Sequence, residues 1–236
     1  SNHDFVIHLA AQSSVSQSVV NPKTTVDVIV DGTVNVLKSC VKTNVKNLIF
    51  SSSAAVYGNS LDILLSENSQ ISPLSTYGAS KLVAEYNLRA FSKLFGLNCI
   101  SLRLFNVYGN DQSSEVGVIR KFLKNISKDV PLEIFGDGTQ TRDFVHISDV
   151  TQAFYRTIKN IEAKRGGVYN IGSGVSTSIN ELASLLISSK GKDLQLIHKP
   201  ALEGEIKDSK ADISLAENDI GYSPQMSLSD GLASLV

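Results

Sequence analysis

Short, uninterrupted apolar runs alternate with longer stretches of helical spacing, and this alternation constrains the fold more than any other feature of the chain. The runs are apolar on both faces, as in strands buried within a parallel sheet. We predict strands over FVIHLAA (5–11), NLIFSSS (47–53) and NCISLRLF (98–105), with helices over 26–44 and 77–96 between them. Strands that alternate with helices of this length form βαβ units, so we expect an α/β fold with a doubly wound parallel sheet.

The two predicted helices carry further local signals. Val30, Val34, Leu37 and Val41 lie on one predicted apolar stripe of the first helix. The second helix ends at Gly96, a residue that commonly terminates helices.

The second half of the chain has a looser pattern. It predicts helices near 116–128, 149–161 and 178–189 and strands near 132–136, 167–171 and 194–198. We therefore expect two domains, an α/β domain over 1–109 and a smaller α/β domain over 110–236. Part of 132–155 is expected to return to the first domain.

Composition excludes several classes of partner. The formal net charge is −1, and no apolar run approaches the length of a membrane span, so we expect neither nucleic acid nor membrane as a partner. Cys40 and Cys99 are far apart in sequence and belong to no C-x-x-C pair. They are expected to pack as reduced side chains in a cytoplasmic protein, and we expect no metal site.

Tyr77 and Lys81, in STYGASKLVAE, are four residues apart at a predicted helix start and therefore share one helix face. A phenol is a poor base at neutral pH, and a nearby ammonium favours the phenolate and lowers the phenol pKa. The pair therefore suits proton transfer. A chain of this composition contains about half a Y-x-x-x-K match by chance, and this one contains a second, Tyr155 and Lys159.

Sequence context separates the two pairs. Tyr77 follows Pro73 at a helix start, and SSSAAVYG (51–58) lies upstream at the carboxyl end of a predicted strand. Ligands of open α/β sheets bind at that edge. Tyr155 lies in the middle of a predicted helix, with no serine-bearing strand end before it. The first pair is therefore the candidate for catalysis.

Seven stretches resemble, in family order, the motifs of NAD-dependent epimerases and dehydratases, a branch of the extended short-chain dehydrogenase/reductase family with a Rossmann-like fold. The resemblance is strongest to the UDP-glucose 4-epimerases. The stretches are HLAAQSSVSQSVVNP, GTVNVLKSC, LIFSSSAAVYG, STYGASKLVAE, SLRLFNVYG, IFGDGTQTRDFVHISDV and VYNIGSG.

The resemblance implies NAD-dependent inversion at C4 of a UDP-sugar through a 4-keto intermediate. It also implies that 1–109 is a partial dinucleotide-binding domain and 110–236 the substrate domain for the nucleotide sugar. Tyr77 is then the base for the 4-hydroxyl proton, Lys81 lowers the Tyr77 pKa and binds the nicotinamide ribose, and Ser53 holds the 4-oxygen. Related 4,6-dehydratases have an acidic pair directly after this serine. In this chain those two positions are Ala54 and Ala55, which disfavours a dehydratase activity.

The resemblance also implies binding residues. Those for NAD are Leu9, Ala10, Ala11, Ser51, Ser52 and Leu104, with Tyr77 and Lys81; those for the sugar nucleotide are Ser14, Val15, Ser53, Asn106, Val118, Ile119 and Arg142. Structural alternatives stand beside several of them: a buried strand end for 9–11, a helix cap for Ser14, core packing for Val118 and Ile119, and an ion pair with Asp143 or Asp149 for Arg142. His146 is expected to be structural.

Some family features are missing. None of the 16 glycines forms the G-x-x-G-x-x-G motif that seats a dinucleotide, so we expect a fragment that binds NAD poorly on its own and leaves sheet edges unpaired. The residue that would select NAD or NADP is missing too. Val28 and Ile29 replace a common asparagine, and Leu202 in LEGE replaces a phosphate-binding arginine.

Three alternatives remain open from sequence: the 4-epimerase, another nucleotide-sugar dehydratase, decarboxylase or reductase, and a non-catalytic nucleotide-sugar-binding protein. By resemblance only, we expect a homodimer formed by the helices at about 16–43 and 76–95.

Overall fold

The computed structural model describes residues 3–60, 62–110, 117–201 and 206–235. The strands are β1 (Phe5–His8), β2 (Asn47–Ser53), β3 (Leu64–Leu65), β4 (Asn98–Leu104), β5 (Asn106–Tyr108), β6 (Leu132–Phe135), β7 (Thr141–Arg142), β8 (Phe144–His146), β9 (Val168–Ile171), β10 (Thr177–Ser178), β11 (Leu196–Lys199) and β12 (Lys210–Ala211). The helices are α1 (Val15–Val20), α2 (Pro22–Val26), α3 (Gly32–Thr43), α4 (Thr76–Phe95), α5 (Val118–Ser127), α6 (Ile147–Asn160), α7 (Ile179–Ser189), α8 (Ser214–Ile220) and α9 (Leu228–Ala233).

The central sheet is parallel, with strand order β1-β2-β4-β9. Alternate residues of β2 enter different cores, as the period of a strand requires. Leu48 and Phe50 pack toward α3 and α4, whereas Ile49 packs with Val150 of α6 and Ile220 of α8. Both faces are therefore covered by helices, and the predicted doubly wound α/β sheet is confirmed.

Strand β1 differs from its prediction. It ends at His8 rather than at residue 11, and Phe5 and Ile7 are exposed rather than buried. Val6 and His8 face the core beside α3, while the helices that cover the opposite face of β2 do not extend over β1. In the described part of the chain β1 is thus an edge strand with one open face.

In the stripe predicted for 26–44, Leu37 is buried as expected, whereas the other three predicted positions are each wrong by one residue. The buried positions are Ile29, Thr33, Leu37 and Cys40. A five-residue π-helical segment, Asp27–Asp31, lies between α2 and α3. The buried positions nevertheless follow one another at intervals of three and four residues, as on one face of a helix.

Helix α4 lies where it was predicted, because both of its ends carry local signals. The Ser75 hydroxyl caps the first turn by accepting from the Gly78 amide, and Gly96 ends the helix in the left-handed conformation. The helix packs against β2 and β4, and its first turn therefore lies at the carboxyl edge of the sheet.

The second half has its own core, in which α5, α7 and α9 pack against β6 and β8. Strands β6 and β11 pair in parallel, as do β5 and β8. Residues 168–171 return to the central sheet as β9, beyond the 132–155 stretch expected to return. The domain boundary near residue 109 stays a prediction. Pairing of β5 with β8 brings Asn106 beside the Arg142–Asp143 segment.

Candidate active site

The start of α4 lies directly against the turn that follows β2. A side chain at Gly78 would collide with the carbonyl oxygen of Ala55, so only glycine allows this approach. The approach places the Tyr77 phenol beside the Ser53 hydroxyl, which acts to lower the Tyr77 pKa. The Ser53 oxygen also accepts from the Ala55 amide, 3.2 Å away. The structure therefore brings two of the three predicted catalytic residues together.

Lys81 is one helical turn from Tyr77 and is only 2% exposed. Its ammonium donates to the Ser51 carbonyl at 2.6 Å and lies 4.7 Å from the Phe50 ring centroid and 5.7 Å from the Tyr77 ring centroid. All three predicted catalytic side chains therefore meet at the carboxyl end of β2.

The direction of the Tyr77 pKa differs from the prediction. Burial raises this pKa, and the Ser53 hydroxyl only partly opposes the rise. The predicted lowering by Lys81 is wrong in this structure, because the ammonium is directed to the Ser51 carbonyl rather than to the phenol oxygen. At neutral pH Tyr77 is therefore a protonated phenol.

Burial lowers the pKa of Lys81 to about 8, and the charge of Glu85 opposes the shift. Lys81 therefore remains mostly a cation at pH 7. His8 lies nearby at the end of β1, where its ring contacts Phe50 and its Nε2 is 3.1 Å from the Thr33 hydroxyl. Burial, and then the charge of Lys81, lower the His8 pKa. The Lys81 ammonium is thus a buried cation that faces the site.

The predicted cofactor residues lie at or just after the carboxyl ends of neighbouring parallel strands. Leu9, which is 59% exposed, and Ala10 follow β1; Ser51 is in β2, and Leu104 ends β4. Small and apolar side chains around a lysine fit a dinucleotide that places its nicotinamide and ribose at this edge. Ala11 is half-buried next to the core beside α3.

Ser52 is directed away from this edge. Its hydroxyl donates to Glu85 at 2.5 Å inside the protein. Only its backbone is left to contact a cofactor at the strand end.

The segment predicted to approach the sugar is attached to helix α4. Ser14 caps α1 by accepting from the Gln17 amide, which is the structural alternative considered for it, and Val15 is exposed in the first turn. The buried Ser18 hydroxyl accepts from the Tyr77 amide at 3.2 Å and donates to the Val15 carbonyl at 2.7 Å. Ser18, which sequence reasoning missed, therefore connects α1 to Tyr77.

Asn106 and Arg142 lie on neighbouring short strands. The amide and side chain of Asn106 both donate to the Asp143 carbonyl, and the Arg142 guanidinium donates to the Thr141 carbonyl at 2.7 Å. The Asp143 carboxylate accepts from the amides of Ser173, Gly174 and Ala211 and from the Ser173 hydroxyl. Asp143 therefore fixes the segment that carries Arg142.

The remaining predicted positions are less directly placed. Val118 is half-buried at the start of α5, and Ile119 is buried in the second core, as the packing alternative expects. His146 caps α6, in keeping with a structural role. Leu202 lies outside the described residues.

A buried polar network, also missed from sequence, lies behind Lys81. Arg103 of β4 forms an ion pair with Glu85 of α4 at 2.8 Å, and it donates to Tyr57, which donates to Asn170 of β9 at 2.6 Å. The available signal was the position of Glu85, four residues after Lys81 on the same helix face.

The sequence model of the NAD-dependent epimerase/dehydratase family matches residues 1–172. The chain belongs to this family. It is 38% identical to a putative UDP-glucose 4-epimerase of Methanocaldococcus jannaschii over 99% of this chain and 76% of that protein. The predicted family and the expectation of an NAD-dependent enzyme are thereby confirmed.

Solved structures give the same fold. UDP-glucose 4-epimerase of Thermotoga maritima with UDP-glucose is 34% identical, with a TM-score of 0.92 over 98% of this chain and 75% of that one. A tyrosine-to-phenylalanine mutant of Bacillus cereus UDP-glucuronic acid 4-epimerase, in complex with UDP-4-deoxy-4-fluoro-glucuronic acid and NAD, is also 34% identical. Its TM-score is 0.92 over 99% of this chain and 74% of that one, and the predicted Rossmann-like fold is confirmed.

The described residues contain no helix with the length and apolar character needed to cross a membrane. The same residues contain no group of three or more His, Cys, Asp or Glu side chains arranged to hold a metal ion.

Proposed function

We propose that the protein inverts C4 of a UDP-sugar with NAD as cofactor, and that UDP-glucose and UDP-galactose are its substrate pair. The observation that carries this proposal is the cluster of Ser53, Tyr77 and Lys81 at the carboxyl edge of the sheet. It joins a phenol, a hydroxyl and a buried cation, the groups that proton transfer at a sugar hydroxyl requires.

In this proposal Tyr77 exchanges the proton of the sugar 4-hydroxyl, and Ser53 holds the 4-oxygen. Because burial raises the Tyr77 pKa, the phenol must first lose its own proton before it can take one from the sugar. The positive charge of bound NAD would favour that phenolate. NAD, when bound, supplies the reversible hydride acceptance at C4 that the 4-keto intermediate requires. Leu9, Ala10, Ser51, Leu104 and the Lys81 ammonium would hold it at the strand ends.

The sugar nucleotide would lie between the two halves of the site. Arg142 offers a guanidinium, and Asn106 an amide, to the diphosphate. Val118 and Ile119 would lie beside the base, and Ser14 and Val15 beside the sugar. The link from Ser18 to the Tyr77 amide keeps that last segment in register with the catalytic phenol.

Dehydration is disfavoured, because the positions after Ser53 are Ala54 and Ala55, whose methyl groups cannot transfer protons. A different UDP-hexose, UDP-glucuronate above all, is the second candidate. It is favoured by the likeness to a UDP-glucuronic acid 4-epimerase at a TM-score of 0.92. A non-catalytic sugar-nucleotide-binding role is the third, and the intact catalytic set opposes it.

We also propose a homodimer in the cytoplasm. Exposed apolar side chains lie on α1 and α4, which pack together: Val19, Val20, Val83 and Tyr86. An apolar surface of this kind is suited to a second copy of the chain. The buried, unpaired thiols of Cys40 and Cys99 support a reducing compartment.

The test is incubation with NAD and, separately, UDP-glucose, UDP-N-acetylglucosamine and UDP-glucuronate, followed by chromatographic separation of the C4 epimers. We expect UDP-galactose from UDP-glucose as the fastest reaction. Faster turnover of UDP-glucuronate would establish the second candidate. Binding of all three without any epimer would establish the non-catalytic one.

A further inference from the structure

The ammonium of Lys81 is buried together with a second cation and one carboxylate on its own helix. Arg103 binds both oxygens of Glu85, with its Nε 3.0 Å from Oε1 and its Nη2 2.8 Å from Oε2. The Ser52 hydroxyl donates to Oε1 at 2.5 Å. Glu85, Arg103 and Ser52 are all buried. The carboxylate is therefore held rigidly from β2 and β4 while its helix carries Tyr77 and Lys81.

The remaining groups around this cluster do not replace the carboxylate. His8 faces Lys81 from β1 and has a pKa lowered by burial and by that lysine. Tyr77 is a phenol whose pKa burial raises. Tyr57 accepts from Arg103, and burial raises its pKa to about 12. Glu67 contacts Arg103 through its backbone carbonyl, and its carboxylate accepts from the Asn170 amide.

We propose that Glu85 is a positioning residue whose fixed carboxylate supplies the negative charge that balances the buried Lys81 ammonium, so that Lys81 remains charged behind the reacting groups. As a statement about catalysis this rests on the proposed epimerase function. As a statement about the charge of Lys81 it rests on the network alone.

The consequence of removing Glu85 follows from the different acidities of the two cations. A guanidinium does not lose its proton in proteins, whereas a buried lysine does so readily. Burial already lowers the Lys81 pKa to about 8, and Glu85 is the charge that opposes this. Without the carboxylate, Arg103 keeps its charge and the effect that opposes the burial of Lys81 is lost, so Lys81 releases its proton more readily.

The experiment measures the Lys81 pKa directly in protein labelled with ¹³C at lysine Cε, with the resonance assigned by its loss in Lys81→Met. In Glu85→Gln we expect this pKa to fall by about one unit. In Glu85→Asp, which restores the charge, it should fall by less than half as much. The alkaline limb of the pH–rate profile should shift to lower pH together with the Lys81 pKa. An unchanged Lys81 pKa in a folded Glu85→Gln protein would overturn the proposal.

Arg103→Gln is the second variant, in case Glu85→Gln does not fold. It leaves Lys81 as the cation nearest to Glu85, and we expect the Lys81 pKa to rise. A fall would contradict the proposal. Asp219→Asn is the matched control, because Asp219 of α8 forms a partly exposed ion pair with Lys164 at 2.7 Å. It should leave the Lys81 pKa where it is.

The two proposals fail in different ways. If no UDP-sugar is epimerised but the resonance of Lys81 shifts as expected, the proposed function is wrong and the role of Glu85 in balancing charge stands. If epimerisation is observed and both the resonance and the alkaline limb are the same in wild type and Glu85→Gln, the role of Glu85 is wrong and the function stands.

Discussion

The chain contains the same four-residue motif on two helices, and the two copies differ in their surroundings rather than in their own geometry. The lysine ammonium lies 5.7 Å from the ring centroid of Tyr77 in α4 and 5.4 Å from that of Tyr155 in α6. Helical spacing alone produces this arrangement. A tyrosine and lysine one turn apart therefore identify a pair of neighbours and not a catalytic site.

Burial and hydrogen bonds distinguish the two copies. Lys81 is 2% exposed and bound to the Ser51 carbonyl, and Tyr77 lies beside Ser53. Tyr155, by contrast, is 56% exposed, and its lysine lies on the surface. In water a cation near a phenol interacts weakly, whereas at a sheet edge with little water each charge has a large effect. The α4 pair can therefore have altered acidity.

Replacing the two phenols is the strongest test of this contrast. Tyr77→Phe removes the proton-transferring oxygen and should lower kcat for C4 inversion by about 10³-fold or more. The dissociation constant for the UDP-sugar should change by only a few-fold, because the diphosphate contacts remain. Steady-state kinetics and calorimetric titration measure the two quantities.

Tyr155→Phe is the matched control for that substitution. Its kcat should stay within about twofold of wild type, since an exposed surface phenol contributes little to stability or chemistry. A large loss of kcat in folded Tyr155→Phe, together with normal turnover in Tyr77→Phe, would show that the catalytic tyrosine lies in α6 and not in α4.

The tie between α1 and α4 gives a smaller effect. Ser18→Ala leaves the Tyr77 amide without its buried acceptor and releases the Val15 carbonyl. We expect kcat to fall by about tenfold because the phenol is less well aligned, and the free energy of unfolding to fall by about 1–2 kcal/mol. Kinetics and urea denaturation check the two values.

Ser39→Ala is suited as the control for Ser18→Ala. Ser39 is an exposed serine of α3 whose hydroxyl donates to the Asn35 carbonyl within the same helix. Both kcat and stability should remain near wild type. If Ser39→Ala and Ser18→Ala were indistinguishable in kcat, the contact from Ser18 to Tyr77 would have no part in aligning the base.

The sequence was sufficient where structure is decided locally. Helix α4 has a serine cap, a glycine stop and a continuous periodic pattern, and β2 and β4 are buried on both faces, so their ranges could be predicted closely. The buried stripe of 26–44 was predicted only at Leu37. Val30, Val34 and Val41 and the buried residues beside them both repeat at helical intervals, and the sequence pattern alone does not choose between the two sets.

The electrostatics of the site could not be predicted from the sequence, because they depend on contacts between residues that are distant in sequence. The motif shows that Tyr77 and Lys81 are neighbours, but the direction of the ammonium depends on the Ser51 carbonyl of another strand. The pKa of Tyr77 is raised rather than lowered because burial outweighs the effect of Ser53. Partners distant in sequence, such as Arg103 for Glu85, require the three-dimensional fold.

The two lysines should also differ in how they link stability to pH, and this is the smallest effect. The folded-state pKa of Lys81 is lowered from 10.5 to about 8, so between these values the unfolded chain binds more protons than the folded one. Folding stability must therefore rise with pH across this window. From pH 7 to pH 9 the contribution of Lys81 to the free energy of unfolding should increase by about 1 kcal/mol.

Urea denaturation of wild type, Lys81→Met and Lys159→Met at pH 7 and pH 9 isolates this contribution, because the other titrating groups are common to all three chains. Lys159→Met should keep the wild-type change between the two pH values, since Lys159 lies at the surface. Lys81→Met should lack the increase of about 1 kcal/mol. If all three proteins respond equally to pH, Lys81 titrates in the folded protein as it does in water, and the electrostatic contrast between the two helices is wrong.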